Sequence, residues 1–219
     1  MVAPEFLARV DLFSELDRDC LSELTEAART LELRRGDIIF SEGDTAGELF
    51  VVTSGRIAIS NRSPDGKESL VALMEEGDLF GEMPLFDGLP RSAEARALEP
   101  SKVVALPYEP VRDLFRRRPE LLWRVVSLLA TRLRAMDEAL ADSFFLDVTG
   151  RTAKRLLELA GSADEFVLPI TQEELAGMVG ASRERVNKAI ASFVRLGWLE
   201  IQDRRYRILD REQLGRRAR

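Results

Sequence analysis

Histidine is missing altogether, and cysteine occurs once, at Cys20. Without an imidazole there is no Ser-His-Asp triad, no Cys-His pair and no histidine-ligated zinc or haem. A single thiol closes no intrachain disulfide and cannot supply the thiolates of an iron–sulfur cluster, which fits a reducing cytoplasm. Long apolar stretches are missing too. Val125 to Ala130 is typical of the longest, far below the roughly 18 residues of a spanning helix. Met1 to Phe6 has neither the basic start nor the apolar core of a signal peptide. These absences predict a soluble, cytoplasmic chain with no membrane partner and no metal site. Carboxylates and serines are present, but no base–nucleophile pair is recognisable by spacing, so no catalytic residues and no enzyme are expected.

The 219 residues are 45% apolar, enough for a real core, and 32% charged with a net charge of −6. That charge is uneven. Residues 150–219 carry 14 basic against 10 acidic residues, a net of +4, and the rest of the chain nets −10. A basic end on an acidic body points to nucleic-acid contact by one end only.

Apolar residues recur at helical spacing through residues 4–30 (Leu7, Val10, Leu12, Leu21, Leu24, Ala28), which predicts short helices. Short alternating runs then follow at 31–33, 38–40, 49–52, 56–60, 69–73 and 102–106. Between them stand glycine turns such as Arg35-Gly36-Asp37, Glu42-Gly43-Asp44, Pro64-Asp65-Gly66 and Glu76-Gly77-Asp78. Strands this short, about ten residues apart, predict a β-sandwich or rolled barrel. From Pro119 a long helix is expected. Its Leu122, Val126, Leu129, Leu133, Met136 and Leu140 form an a/d seam suited to a second copy of the chain, while Leu121, Val125 and Leu128 lie on a second face suited to the chain's own β-domain.

Asp147 to Gly150 interrupts that helix as a hinge, and Asp147 can cap the next one. Thr171-Gln172-Glu173-Glu174 is a capping box. Gly180 offers a sharp turn, and Ser182 caps a second, basic helix whose inner face is Val186, Ala189, Ile190, Phe193 and Val194. Two short helices around a glycine read as a helix-turn-helix. The runs around Leu199 and Tyr206 form a hairpin wing after it. On the second helix Arg183, Glu184 and Lys188 lie outward. Arg183 suits guanine O6 and N7, Glu184 a cytosine N4 amine, and Lys188, Arg204 and Arg205 suit phosphates or a second base.

The segments Phe145-Leu146-Asp147-Val148-Thr149-Gly150-Arg151, Gln172 to Ala176 and Val179 to Val186 resemble the cyclic-AMP receptor protein/FNR family of bacterial regulators, especially its actinobacterial members. The resemblance implies an α+β fold: an N-terminal cyclic-nucleotide-binding-type β-roll (a jelly-roll) over 1–118, a dimerisation helix and hinge over 119–146, and a winged helix-turn-helix over 147–219. It implies a homodimer on palindromic double-stranded DNA with TGTGA-like half-sites, recruiting or blocking RNA polymerase. Thr171, Gln172, Ser182, Arg183, Glu184, Lys188, Arg204 and Arg205 are the expected DNA-binding residues.

The stretch from Phe80 to Leu85, with Pro90-Arg91-Ser92-Ala93, is similar to the family's phosphate-binding cassette. Gly81 would let amides approach an anion, a short helix starting there would add its positive end, and Met83 belongs to the same expected site. Arg91 and Ser92 would hold a cyclic phosphate, and Glu82 a ribose hydroxyl. Alternatively, Glu82 and Arg91 pair with each other. Receptors for cyclic AMP carry a threonine and a small polar residue on the dimer helix, where this chain has Met136 and Asp137. Three readings stay open: cyclic AMP, with Asp137 accepting from the adenine amine; a guanine nucleotide such as cyclic GMP, whose N1–H and N2–H suit a carboxylate; or a pocket that has drifted to another signal or none. No obligatory cofactor is expected. A sensor module acting on a protein partner is the alternative of another class.

Overall fold

The computed structural model describes residues 4–63 and 68–219, so the turn expected at Pro64-Asp65-Gly66 lies outside the described residues. The chain divides into two compact units, residues 1–62 with 71–133 and residues 63–70 with 134–219.

The first unit opens with α1 (Pro4–Leu7), a 3-10 turn (Asp11–Phe13) and α2 (Arg18–Ala27), whose N-cap Asp17 accepts from the Cys20 amide. Eight strands follow: β1 (Arg29–Leu33), β2 (Ile38–Phe40), β3 (Glu48–Ser54), β4 (Ile57–Arg62), β5 (Glu68–Met74), β6 (Leu79–Phe80), β7 (Glu94–Ala97) and β8 (Ser101–Pro107), with α3 (Met83–Asp87) between β6 and β7. They form two four-stranded sheets, ordered β1-β8-β3-β6 and β2-β7-β4-β5. The central strands β3 and β8 are buried on both faces, which is why they read as continuous apolar runs. Leu49, Val51, Val104 and Leu106 face the helices, packing with Leu7, Phe13, Leu24, Val111 and Leu114. Phe50, Val52, Val103 and Ala105 face the roll's interior with Ile57, Phe80, Ala95 and Ala97. Each such large side chain contributes about 1.5–3 kcal/mol.

After β8 come α4 (Tyr108–Arg117), a 3-10 turn (Pro119–Leu121) and α5 (Leu122–Phe145). The long helix therefore starts three residues later than its proline, which shapes the turn instead. Leu121 and Val125 are buried in the helix-side core, with Leu128 packed against it, as the second face predicted. The seam residues Leu122, Val126, Leu129, Leu133, Met136 and Leu140 are exposed by 37–60% along one side of α5.

In the second unit α6 (Val148–Ala160) is capped by Asp147, which accepts from the Gly150 amide and pairs with Arg217. Arg151 donates to the Leu146 and Val179 carbonyls at 2.7 and 2.8 Å, and Lys154 pairs with Asp142 at 2.6 Å. The segment around the expected hinge is thus tied down within its own unit. Then come β9 (Glu165–Val167), α7 (Gln172–Val179), α8 (Arg183–Arg195), β10 (Leu199–Gln202), β11 (Arg205–Ile208) and α9 (Arg211–Arg217). The wing has three strands, ordered β10-β11-β9, because Phe166 pairs with Tyr206 in register.

Candidate effector pocket and nucleic-acid interface

Gly81 follows β6 at φ +74°, and a Cβ there would stand 2.7 Å from the Arg91 guanidinium and 3.2 Å from the Phe50 ring. Glycine is needed both for the left-handed backbone and for the space. Arg91 is only 6% exposed. Its Nη1 donates to the Gly81 carbonyl at 2.7 Å and the Tyr108 hydroxyl at 3.1 Å, and its Nη2 to the Glu48 carbonyl at 2.7 Å. The guanidinium lies 4.1 Å over the Phe40 ring, with Phe50 and Tyr108 at 5.5 and 6.0 Å. Burial lowers the Arg91 pKa, and Tyr108 and Glu48 oppose that fall. Burial likewise raises the Tyr108 pKa, against the lowering effect of Arg91. The Arg91 Nε has no hydrogen-bond partner among the described residues.

Glu82 is 2% exposed and does not pair with Arg91. Its partner is Arg132 on α5, which also donates to the Leu79 carbonyl. Arg132 is a site residue that the sequence reading misses. A signal for it exists: Leu121, Val125, Leu128 and Arg132 step by 4, 3 and 4 along the face of α5 turned to the roll. Ser92 is exposed and its hydroxyl donates to the Met83 sulfur at 3.8 Å. The helix at Met83 is a single turn of five residues with Pro84 in it, so any dipole contribution is small. Gly81, Glu82, Met83, Arg91 and Ser92 therefore come together in the first unit. Met136 and Asp137 are exposed residues of α5 in the second unit.

In the second unit the caps form as expected. The Glu174 amide donates to the Thr171 hydroxyl at 3.2 Å, and the Thr171 amide donates to the Glu174 carboxylate at 2.7 Å. Gly180 takes the left-handed conformation, and Ser182 caps α8 by accepting from the Arg185 amide. Val186, Ala189, Ile190 and Phe193 anchor α8 in the core, which leaves Arg183, Glu184 and Lys188 exposed on its outer side. Val194, expected inside, is 43% exposed: it lies at the edge of the apolar stripe, about 80° round from Val186 at 3.6 residues per turn. A cavity of about 520 Å³ brings Thr171, Gln172, Arg183 and Arg204 to one groove, floored by Leu168, Ile170 and Tyr206. Asp203, at φ +56°, makes the tight turn of the wing that aims Arg204. Arg204 donates to the Leu168 carbonyl at 3.1 Å, and Arg205 pairs with Glu165 at 2.7 Å. Arg204 and Arg205 thus have protein partners, unlike the cations of α8, for which no ion pair forms among the described residues.

Comparison with known proteins follows the same division. Residues 30–118 match the cyclic nucleotide-binding domain, and residues 150–217 match the Crp-like helix-turn-helix domain. The CRP-like cAMP-activated global transcriptional regulator of Mycobacterium tuberculosis is 38% identical over 98% of this chain and 99% of its own length. The cAMP-activated global transcriptional regulator CRP of Salmonella typhimurium is 35% identical over 69% of this chain and 76% of its own. Among solved structures, a CRP/FNR-family transcriptional regulator from Thermus thermophilus shares a TM-score of 0.72 at 27% identity, covering 87% of this chain and 98% of its own.

Proposed function

The chain belongs to the cyclic-AMP receptor protein/FNR family of bacterial transcription regulators, and from that premise we propose that it is a homodimer that reads a two-fold symmetric DNA site with α8 under control of a small effector. One observation carries the DNA reading. Glu184 and Lys188, four residues apart on one helix face, are natural ion-pair partners, yet no bridge joins them, and Arg183 beside them forms no ion pair among the described residues. An acceptor and two donors stand open on a capped, core-anchored helix. An exposed carboxylate facing phosphates would only repel them, so Glu184 acts as a base reader, accepting from a cytosine amine, with Arg183 on guanine. Lys188, Arg204, Arg205, Thr171, Gln172 and Ser182 serve the backbone or a flanking base.

The dimer rests on α5. Its six exposed seam residues, about four-tenths to six-tenths open in the single chain, need a matching apolar surface, and a second copy supplies one. Two recognition helices about 34 Å apart would then enter successive major grooves of a palindromic, TGTGA-like site. Residues 1–118 serve as the effector domain, 119–146 as dimer helix and hinge, and 147–219 as the DNA-binding domain. RNA polymerase is the partner on DNA.

The effector reading follows the cAMP-activated relatives. A cyclic nucleotide would take Glu82 with its ribose and Arg91 and Ser92 with its phosphate, and would meet Met136 and Asp137 on the dimer helix. By favouring one arrangement of α5 it would shift the population toward the DNA-competent dimer. A second reading has its own support: Arg132 already holds the buried Glu82 carboxylate that a ribose would otherwise occupy, so that acceptor is paired without a ligand. Glu184→Ala tests the base reader. It should lose sequence preference more than total affinity; uniform weakening on all duplexes would sink the direct-readout role.

A further inference from the structure

Resting on the reading of α8 as the DNA-facing helix, we infer that Asn187 is a further base-reading residue, a carboxamide that recognises an adenine in each half of the site. At 3.6 residues per turn Asn187 lies about 40° round the helix from Arg183 and about 60° from Glu184, so it falls between these two side chains, one turn further along. It is half-buried, on the shoulder between the exposed face and the anchor residues Val186 and Ile190. Its side-chain Oδ1 is buried with no hydrogen-bond donor among the described residues. A sealed acceptor without a donor is costly, and a native structure rarely keeps one without a use.

Asparagine matches adenine by accepting from the N6 amine with Oδ1 while donating from Nδ2 to N7. A change of the χ1 rotamer turns the whole carboxamide from the shoulder toward the groove, and the broad terminal torsion then sets Oδ1 on N6 and Nδ2 on N7, exchanging an unpartnered acceptor for a partnered one. Four residues along α8 advance about 6 Å, so Asn187 meets a base other than the one met by Arg183. The residue is neutral, so its contribution is sequence preference without added salt dependence.

The test uses the full chain and a panel of duplexes in which each position of a symmetric TGTGA-type site and its flanks is replaced, in both halves, by every other base. Fluorescence anisotropy gives Kd for wild type and Asn187→Ala across the panel. The expected result is a preference for A·T of about tenfold at one position in the wild type, flattened in the variant with other positions unchanged. If Asn187→Ala does not fold, Asn187→Leu, which is of similar size and uncharged but has neither donor nor acceptor, flattens the same position. The inference is overturned if the variant keeps every preference, or weakens all duplexes by one factor. A wild type with no preference at any position overturns the DNA reading itself, a result distinguishable from the first two.

Discussion

Arg132→Ala isolates the contact that the long helix makes with the heart of the effector cassette. The Glu82 side chain is 3% exposed and that of Arg132 30% exposed. Removing one member of a fully buried ion pair costs about 3–5 kcal/mol. Here the arginine end is partly open, and water entering the vacated space rehydrates the carboxylate, which brings the cost nearer the strength of one charged hydrogen bond, about 2 kcal/mol. For a chain of this size that corresponds to a fall in Tm of about 4–8 °C. The sharper part is the cycle. In Glu82→Gln/Arg132→Ala no charge is stranded, so the double variant should recover at least half of the loss. Thermal and urea unfolding of the wild type, both single variants and the double variant give all four corners. An Arg132→Ala variant within about 1 °C of wild type, or a double variant no better than the single, refutes the reasoning that Arg132 neutralises a buried carboxylate.

Three further outcomes follow from individual contacts. Gly81→Ala forces a Cβ toward the Arg91 guanidinium at φ +74° and should cost about 2 kcal/mol or more in unfolding experiments, since the left-handed backbone alone costs about 1–2. Leu133→Glu puts a charge in the middle of the α5 seam; sedimentation should show a monomer with an unchanged far-UV spectrum, because Leu133 is already exposed in the single chain. The Asp147 pKa is lowered first by the Gly150 amide and then by Arg217. A depressed folded pKa contributes stability present above the unfolded value and lost as pH falls through the folded one, so Asp147→Asn should flatten the acid limb of the stability curve below about pH 4 and leave its neutral limb parallel to wild type.

The parts legible in the sequence are those set by local chemistry. Thr171 with Glu174, Gly180 and Ser182 each satisfy or turn the backbone within a few residues, so the helix-turn-helix can be read before any packing is known. The apolar runs of β3 and β8 and the period of the α5 seam are similarly local. What stays hidden is made by distant segments. β7 reads Glu-Ala-Arg-Ala, a poor strand by propensity, and is held as one by β2 on one side and β4 on the other. β9 exists through its pairing with β11, some forty residues away. The α4 helix does carry its signal, with Tyr108, Val111, Leu114 and Phe115 at helical spacing, but it stands between two stronger patterns that mask it. Around Gly81, Glu82 and Arg91 the sequence brings out the residues but not the partners that hold them. The box around Arg91 draws Phe40, Phe50 and Tyr108 from three different elements, and the ion pair of Glu82 crosses fifty residues to Arg132.

The central claim is that α8 makes this chain a sequence-specific DNA-binding regulator working as a dimer. Its most direct measurement is the Kd of the full chain for a symmetric TGTGA-type duplex against a scrambled duplex of the same composition, at two salt concentrations, with and without cyclic AMP. Two chains per duplex are expected, with tighter binding to the symmetric site at both salts and a weakening with salt that reflects the phosphate contacts. Equal affinity for the two duplexes under every condition would contradict it.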